Sequence, residues 1–226
     1  MAISITHLSH FLSVFVLFRL TLAVVSDSVG VALTSAAFHI ISPAGLFLSA
    51  PYAESSCALL SFFGTLLFVK SLGPKEDSST AKDSLVLLSG ISFGIATTFR
   101  SNGILNGLLM FTEAIRISVE LFAHGPRVAS ARRLVATGLG GLAVGFGFLL
   151  PQYIAYTQFC GDAATSRTWC ERTVPSIYTF VQDHYWYVKD ATSQIDLMYL
   201  GTVVHSDIGL SQTFLSSYLP RQCSSS

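Results

Sequence analysis

Charged side chains are scarce in this 226-residue chain, since only 12% of its residues are Asp, Glu, Lys or Arg, whereas 51% are hydrophobic. A soluble domain usually has roughly 25% charged residues, so this chain has too few of them to cover a surface that faces water. The charges also balance, with 13 basic and 13 acidic residues. A chain without a basic excess lacks the electrostatic footprint of a nucleic-acid-binding protein, and we exclude that class.

Cysteine is also rare, and the four cysteines do not have the spacing of a zinc site. We therefore expect no metal site. Cys57 lies in an apolar run, where a cysteine usually behaves as a small apolar residue. Cys160 and Cys170 lie in a polar segment and are candidates for a disulfide if that segment faces an oxidising compartment.

Two long segments, 28–53 and 134–161, contain no charged residue, and each exceeds the about 20 residues that a bilayer-spanning helix needs. The apolar N-terminus is a weak match to a signal peptide, since no Lys or Arg precedes Arg19. Segments 73–83 and 122–133 mix Gly, Pro and charges and are predicted as loops. The apolar runs predict six helices, near residues 3–25, 29–48, 55–72, 85–99, 104–121 and 134–153. The expected fold class is all-α, a polytopic transmembrane helix bundle.

Basic residues cluster around two of the predicted connections, which are separated by two helices. Because cytoplasmic loops retain Lys and Arg, both connections are predicted to face the cytosol. The opposite, luminal side then receives residues 49–54, 100–103 and 156–190. The basic residues are Lys70, Lys75 and Lys82 around the first connection, and Arg116, Arg127, Arg132 and Arg133 around the second.

Glycines recur four residues apart in three places, a spacing that lets helix backbones approach closely within lipid. Ordinary helix packing is favoured over a substrate groove as their purpose. The pairs are Gly90 with Gly94, Gly103 with Gly107, and Gly141 with Gly145.

The segment 39–55 interrupts an apolar run with two prolines, a glycine and Glu54. Proline frees backbone carbonyls from the helical ladder, and a broken helix at membrane depth needs protein or water to satisfy them. We therefore expect a cavity or a membrane-surface site near Pro51. A carboxylate at such a boundary indicates function by default. The alternative is a solvated glutamate at the positive dipole end of a helix.

A second polar cluster surrounds Arg100, which lies between two apolar helices at the predicted luminal edge. A guanidinium at this position can hold a phosphate through a bidentate pair of hydrogen bonds. The alternative is an arginine that extends toward the lipid headgroups. Asn102 and Gly103 are typical of a tight turn between antiparallel helices.

Three strings, read together, resemble one family. They are IISPAGLFLSAPYAES at 40–55, FRSNG at 99–103, and PSIYTFVQ at 175–182 followed by Tyr185-Trp186. In this order they resemble GPI mannosyltransferase 2, the PIG-V family of glycosylphosphatidylinositol (GPI) anchor synthesis. The resemblance covers roughly residues 12–188 and is clearest over 38–109 and 148–186.

The resemblance implies a multi-helix glycosyltransferase of the GT-C superfamily in the endoplasmic-reticulum membrane. Such an enzyme takes mannose from dolichol phosphate mannose and adds the second mannose to the growing GPI glycolipid. The expected reaction is an inverting displacement, in which a luminal carboxylate takes the proton of the acceptor hydroxyl. No bound cofactor is expected. The implied partners are the lipid bilayer, the GPI precursor and a small membrane subunit. The implied substrate-binding residues are Pro51, Tyr52, Glu54, Arg100, Ser101 and Asn102.

The sequence departs from the family pattern at both ends. The family's presumed catalytic acid belongs to a Trp-Asp motif in the first luminal loop, whereas here Trp169 precedes Cys170 and Trp186 precedes Tyr187. We therefore expect the chain to begin after that loop, which leaves the base unassigned and Glu54 as the remaining candidate.

Two regions are predicted. Residues 1–188 form the mannosyltransferase-like region, with a luminal loop at 154–188, and residues 189–226 form a divergent, poorly ordered tail. Three functions remain open: a membrane glycosyltransferase, a non-catalytic subunit or remnant of that enzyme, and a transporter. Transporters also use broken helices near a midplane site, but the paired repeats typical of them are not found here.

Overall fold

The computed structural model describes residues 2–25, 28–41, 53–73, 79–125, 127–160, 169–171 and 176–181. The chain divides into two compact units, Met1–Gly161 and Asp162–Ser226. The predicted tail, Pro51 and Tyr52 lie outside the described residues.

All regular secondary structure in the described part of the first unit is helical, which confirms the predicted all-α class. It contains six long α-helices and a 3₁₀ helix, Ser101–Asn106, between the fourth and the fifth. The helices are α1 (Ala2–Val24), α2 (Val29–Ile41), α3 (Glu54–Ser71), α4 (Ser79–Phe99), α5 (Gly107–His124) and α6 (Val128–Phe159). In the second unit, the described residues form α7 (Ile177–Val181) and a turn at 169–171 that contains the buried Trp169.

The helices of the first unit pack mainly against their neighbours in the order α2, α1, α3, α4, α6 and α5. A small apolar core joins α3, α4, α5 and α6. Its buried members are Phe68, Val86, Phe93, Met110 and Val144.

The surface of α1 is arranged in the opposite way to that of a helix in water. Thr6, Ser9 and Ser13 are buried, with exposed fractions of 5%, 8% and 0%, whereas Ile3 and Phe11 are exposed by 59% and 70%. A soluble protein buries its large apolar residues. Hydrocarbon reverses the preference, because a polar group that faces lipid must find a partner inside the protein.

A polar contact also joins α2 to α1. The Nε2 atom of His39 lies 3.1 Å from the Oγ atom of Ser13. That hydroxyl already donates its hydrogen to the carbonyl oxygen of His10, at 2.7 Å. Because a hydroxyl has a single hydrogen to donate, the ring of His39 is the donor in the contact between the two helices.

Glycines on α4 and α6 allow these two backbones to touch. A Cβ atom on Gly90 would overlap the backbone of Gly140, and one on Gly147 would overlap the backbone of Gly94. The prediction for Gly90 and Gly94 is therefore confirmed.

On α6 the predicted glycine pair is wrong. A Cβ atom on Gly145 would meet nothing within 4 Å, and one on Gly141 would reach only Met110, at 4.0 Å. Successive residues of an α-helix are rotated by about 100° around its axis. Gly141 and Gly145 therefore lie outside the face of α6 that contacts α4. Gly140 and Gly147 face α4 instead.

The predicted loops are too long. Helix α4 begins at Ser79, so Lys82 and Asp83 are helical rather than part of a loop at 73–83. Helix α5 continues to His124 and α6 begins at Val128, so little remains of the loop predicted at 122–133. Gly125, with a φ of 79°, ends α5 in a conformation that favours glycine.

The luminal loop predicted from residue 154 also begins too early, because α6 continues to Phe159 with Pro151 inside it. By length and composition, two of the described helices can cross a membrane, over Ile3–Val24 and Val128–Phe159. Together with the apolar surface of α1, these helices identify the chain as a membrane protein.

Candidate functional site

The polypeptide reverses direction at Arg100. Helix α4 ends at Phe99, and Arg100 is extended, with φ −144° and ψ 129°, before the 3₁₀ helix begins. The turn is tight because a Cβ atom on Gly103 would lie 2.8 Å from backbone atoms of Thr97 and 2.9 Å from Ala96. The FRSNG string therefore needs glycine at its last position for steric reasons.

This turn brings Arg100 to the first residue of α3. The Nη1 atom of Arg100 donates a hydrogen bond to the Oε1 atom of Glu54 at 2.7 Å, across 46 positions of the sequence. Both side chains are partly exposed, 45% for Arg100 and 28% for Glu54. The structure thus joins the two residues that the sequence singled out in separate motifs.

A second side-chain bond holds the turn against α3. The amide nitrogen of Asn106 donates to the hydroxyl of Ser61 at 2.9 Å. Asn106 lies in the polar cluster around Arg100, but it is not among the predicted site residues. Its contact with Ser61 spans 45 positions, so no local pattern indicates it.

The other predicted residues of the turn have different surroundings. Ser101 is partly buried and Asn102 is exposed, both at the start of the 3₁₀ helix. They lie beside Arg100 at the same end of the bundle. The arrangement presents a guanidinium, a carboxylate and an amide at the edge of an otherwise apolar bundle, where Arg100 can bind an anion and Glu54 can accept a hydrogen bond.

The opposite end of the bundle carries a larger ionic network. Helix α3 has 18 residues, so its two ends lie about 27 Å apart, close to the roughly 30 Å of a bilayer core. Glu113 is 3% exposed and forms two hydrogen bonds with Arg116, at 2.8 and 2.9 Å. Arg133 adds a third to the same carboxylate, at 3.1 Å.

Arg133 also links this carboxylate to two more helices. It donates to the hydroxyl of Ser71 in α3 at 2.9 Å and to the carbonyl oxygen of Lys82 in α4 at 3.1 Å. Arg132 pairs with Asp83 at 2.5 Å. The described basic residues beside the two predicted connections therefore lie at one end of the bundle, away from Arg100; they are Lys82, Arg116, Arg132 and Arg133. The side of the membrane that this end faces stays a prediction.

The cysteines of the polar segment are oxidised. Cys160 and Cys170 are each disulfide-bonded, and Cys57 is a free thiol. Within the ranges that the structure describes, no group of three or more His, Cys, Asp or Glu side chains is placed to hold a metal ion.

Comparison with known proteins identifies the family. Residues 1–189 match the family model described as Mannosyltransferase (PIG-V). GPI mannosyltransferase 2 of Gibberella zeae is 42% identical over 185 residues, which cover 82% of this chain and 43% of the relative. The protein of the same name from Aspergillus oryzae is 40% identical, over 83% of this chain and 44% of its own length.

A mammalian relative matches as well. GPI alpha-1,6-mannosyltransferase 2 of Rattus norvegicus is 31% identical over 180 residues, which cover 70% of this chain and 34% of the relative. The chain spans less than half the length of these curated relatives. No solved structure matches it. The resemblance carried by the three strings is confirmed, and the chain belongs to the PIG-V mannosyltransferase family.

Proposed function

We propose that this protein is a multi-pass membrane protein of the endoplasmic reticulum that acts in GPI-anchor biosynthesis. It transfers the second mannose from dolichol phosphate mannose to the GPI precursor on the luminal side. The observation that carries the proposal is the ion pair between Glu54 and Arg100, because it unites two of the motifs by which the chain resembles its family.

The chemistry of the donor explains the position of Arg100. The acceptor hydroxyl oxygen attacks the anomeric carbon of mannose, the bond from that carbon to the phosphate oxygen breaks, and a base takes the hydroxyl proton. The lipid phosphate leaves with the bonding electrons, so its negative charge increases. A guanidinium at the membrane surface stabilises that charge. Arg100 is the proposed phosphate contact, and Glu54 orients it.

The remaining site residues follow from this placement. Ser101 and Asn102, next to Arg100, are proposed to contact the sugar or the phosphate through their polar side chains. Pro51 and Tyr52, which lie three and two residues before the start of α3 in the sequence, are proposed to form the wall beside Glu54. A small membrane subunit remains the proposed protein partner.

A second function is compatible with the same contact, because the hydrogen bond from Arg100 to Glu54 also joins the turn to α3. Under this alternative the chain is a non-catalytic subunit or a remnant of the enzyme. In that case the Glu54–Arg100 pair holds the turn against α3 and contributes to structure alone.

Complementation separates the two functions. The chain is expressed in cells that lack the second GPI mannosyl transfer, and GPI-anchored proteins are counted at the cell surface, with a full-length relative as the positive control. Rescue by the chain supports catalysis. If the relative rescues and the chain is present in the membrane without rescue, the non-catalytic alternative is favoured.

The role of Arg100 is tested in the full-length relative. Replacement of the corresponding arginine by alanine is expected to reduce mannosyl transfer at least tenfold, since a charge-assisted contact to a phosphate contributes on the order of 1.5 to 3 kcal/mol. Replacement by lysine is expected to restore part of the rate, because lysine keeps the charge but loses the bidentate geometry. Unchanged donor use by the alanine variant would remove Arg100 from the site.

A further inference from the structure

Asn106 occupies a helix-capping position without capping the helix. It is the last residue of the 3₁₀ helix and directly precedes α5, with φ −63° and ψ −23° and no side-chain hydrogen bond to that helix. An asparagine at this position usually accepts a hydrogen bond from the first turn of its own helix. Here its amide nitrogen instead donates to the hydroxyl of Ser61 in α3, at 2.9 Å. The side chain therefore serves the contact between the turn and α3 rather than the start of α5.

Two described side-chain hydrogen bonds join the turn to one face of α3. Arg100, just before the 3₁₀ helix, bonds to Glu54, and Asn106, at its end, bonds to Ser61. Glu54 and Ser61 are seven residues apart, which is about two turns and about 10.5 Å along an α-helix. The six residues of the 3₁₀ helix extend about 12 Å. Because the two lengths nearly match, α3 can hold both ends of the 3₁₀ helix at once.

The two bonds differ in their access to water. The side chains of Arg100 and Glu54 are 45% and 28% exposed, so water competes for their contact. The bond from Asn106 to Ser61 is partly buried. Between the two bonds along α3, the thiol of Cys57 is hydrogen-bonded to Ser61 and lies close enough to Arg100 and Glu54 to interact with both charges. The inner bond therefore contributes more to fixing the turn than the outer one.

The contact with Glu54 leaves one edge of the Arg100 guanidinium available. Glu54 accepts from the Nη1 atom, and among the described residues no other partner of this guanidinium is found. The Nε and Nη2 atoms form the edge that can bind two oxygens of one phosphate. Such a bidentate contact depends on the direction of the guanidinium plane. The direction in turn depends on where the backbone of the turn is held.

We propose that Asn106 is a positioning residue for the donor phosphate. Its bond to Ser61 fixes the inner end of the 3₁₀ helix, and the outer end then holds the free edge of the Arg100 guanidinium toward the phosphate. The inference rests on the proposed function, in which Arg100 contacts the phosphate of the mannose donor. Asn106 acts through the turn and does not itself touch the donor.

Equilibrium binding of a short-chain polyprenyl phosphate mannose to the full chain in nanodiscs tests the proposal. Asn106→Ala is expected to weaken binding about fivefold, the effect of one neutral hydrogen bond. Ser61→Ala is expected to cause the same loss, and the double variant no further loss, because the two residues act as one pair. Asn106→Gln keeps the amide donor and is expected to recover part of the affinity. Thr98→Ala is the matched control, because this hydroxyl donates within its own helix, to Ile95, and its affinity is expected to stay within twofold of the wild type.

The same measurement in an Arg100→Ala background separates positioning from a general structural role. In this background Asn106→Ala is expected to change the affinity by less than twofold, since the group that it positions is absent. A fivefold loss both with and without Arg100 would mean that Asn106 supports the fold alone, and it would overturn the proposal.

Alkylation of Cys57 by a small maleimide adds a readout that needs no donor. In a Cys223→Ser chain, Asn106→Ala is expected to speed this reaction about fivefold, because the turn beside the thiol opens more often. A wild-type rate in Asn106→Ala would overturn the proposal.

Failure of the proposed function gives a different result. Absence of donor binding by the wild type, or wild-type affinity in Arg100→Ala, would refute the phosphate contact of Arg100 and the positioning role with it. Donor binding that depends on Arg100 but is unchanged in Asn106→Ala would refute the positioning role alone.

Discussion

The ion pairs Glu54–Arg100 and Glu113–Arg133 join the same kinds of side chain, but their surroundings differ. Arg100 and Glu54 are 45% and 28% exposed, whereas Arg133 and Glu113 are 12% and 3% exposed. Water can replace a lost partner at the first pair but not at the second. The two pairs therefore make different contributions to stability, and the difference can be measured.

The Arg133→Ala change is expected to lower the free energy of unfolding by about 1.5 to 3 kcal/mol, because the buried carboxylate of Glu113 loses one charge-assisted hydrogen bond while Arg116 still pairs it. It also removes the links from α6 to α3 and α4. Thermal denaturation in detergent measures the effect. Arg127→Ala serves as the control, since a substitution of an exposed surface residue usually changes stability by about 0.5 kcal/mol or less. Equal destabilisation by both variants would contradict the assignment of Arg133 as the centre of the network.

The Arg100→Ala change is expected to alter the free energy of unfolding by less than about 1 kcal/mol, the usual range for a partly exposed ion pair. The same denaturation measurement applies. A small effect here, combined with a large loss of transfer in the full-length relative, would show that Arg100 serves binding rather than folding. A loss as large as that of Arg133→Ala would indicate a structural role.

At the scale of the helices, the limits of α1 and α3 are predicted within about a residue, because uncharged runs end at clear punctuation. The start of α4 is missed by six residues. Lys82 and Asp83 favour a loop when only their neighbours in the sequence are considered. Their partners are Gly73 and Arg132, and Arg132 lies 49 positions away from Asp83.

The candidate site also depends on contacts between residues that lie far apart in the sequence. The sequence identifies Glu54 and Arg100 as unusual charges, but their contact depends on the turn at Gly103, which brings α4 and the 3₁₀ helix together. Asn106 is missed because Ser61, its partner, belongs to another helix. Patterns within one segment indicate which residues are costly to place in a membrane. They do not indicate which residues meet.

Glycine substitutions test the packing of α4 on α6. The Gly90→Ala change is expected to destabilise the bundle by several kcal/mol or prevent folding, because the new Cβ atom would overlap the backbone of Gly140, which has no flexible end that can move aside. Gly145→Ala is the matched control on the open side of α6. It is expected to be neutral or stabilising by up to about 1 kcal/mol, since alanine favours the helix over glycine. Thermal denaturation measures both variants. A larger loss of stability in Gly145→Ala than in Gly90→Ala would contradict the packing described for these helices.

At the scale of the whole molecule, the described helices of the first unit collect polar groups inside the bundle and at its two ends, while many large apolar side chains outside the small core face outward. One end carries Glu54 and Arg100. The other carries the network of Asp83, Glu113 and Arg133. Charged groups at the two ends of α3 are expected to face water or headgroups on opposite sides of the bilayer.

The chain is expected to require detergent or lipid to remain dispersed. Exposed residues such as Phe11, Leu142 and Phe146, at 70%, 70% and 63% exposure, would otherwise associate between molecules. Sedimentation after stepwise removal of detergent checks this expectation. A folded, monodisperse chain in plain buffer would mean that water, rather than hydrocarbon, surrounds these helices.

The most direct test of this account is the location of the two ends of the bundle in sealed microsomes. A single cysteine replaces Asn102 in one variant and Arg127 in another, with Cys57 and Cys223 changed to serine, and a membrane-impermeant maleimide is added. We expect the cysteine at 127 to react from outside, whereas the cysteine at 102 is expected to react only after the membrane is permeabilised. Reaction of both cysteines from outside, or the reverse pattern, would contradict a luminal site built around Glu54 and Arg100.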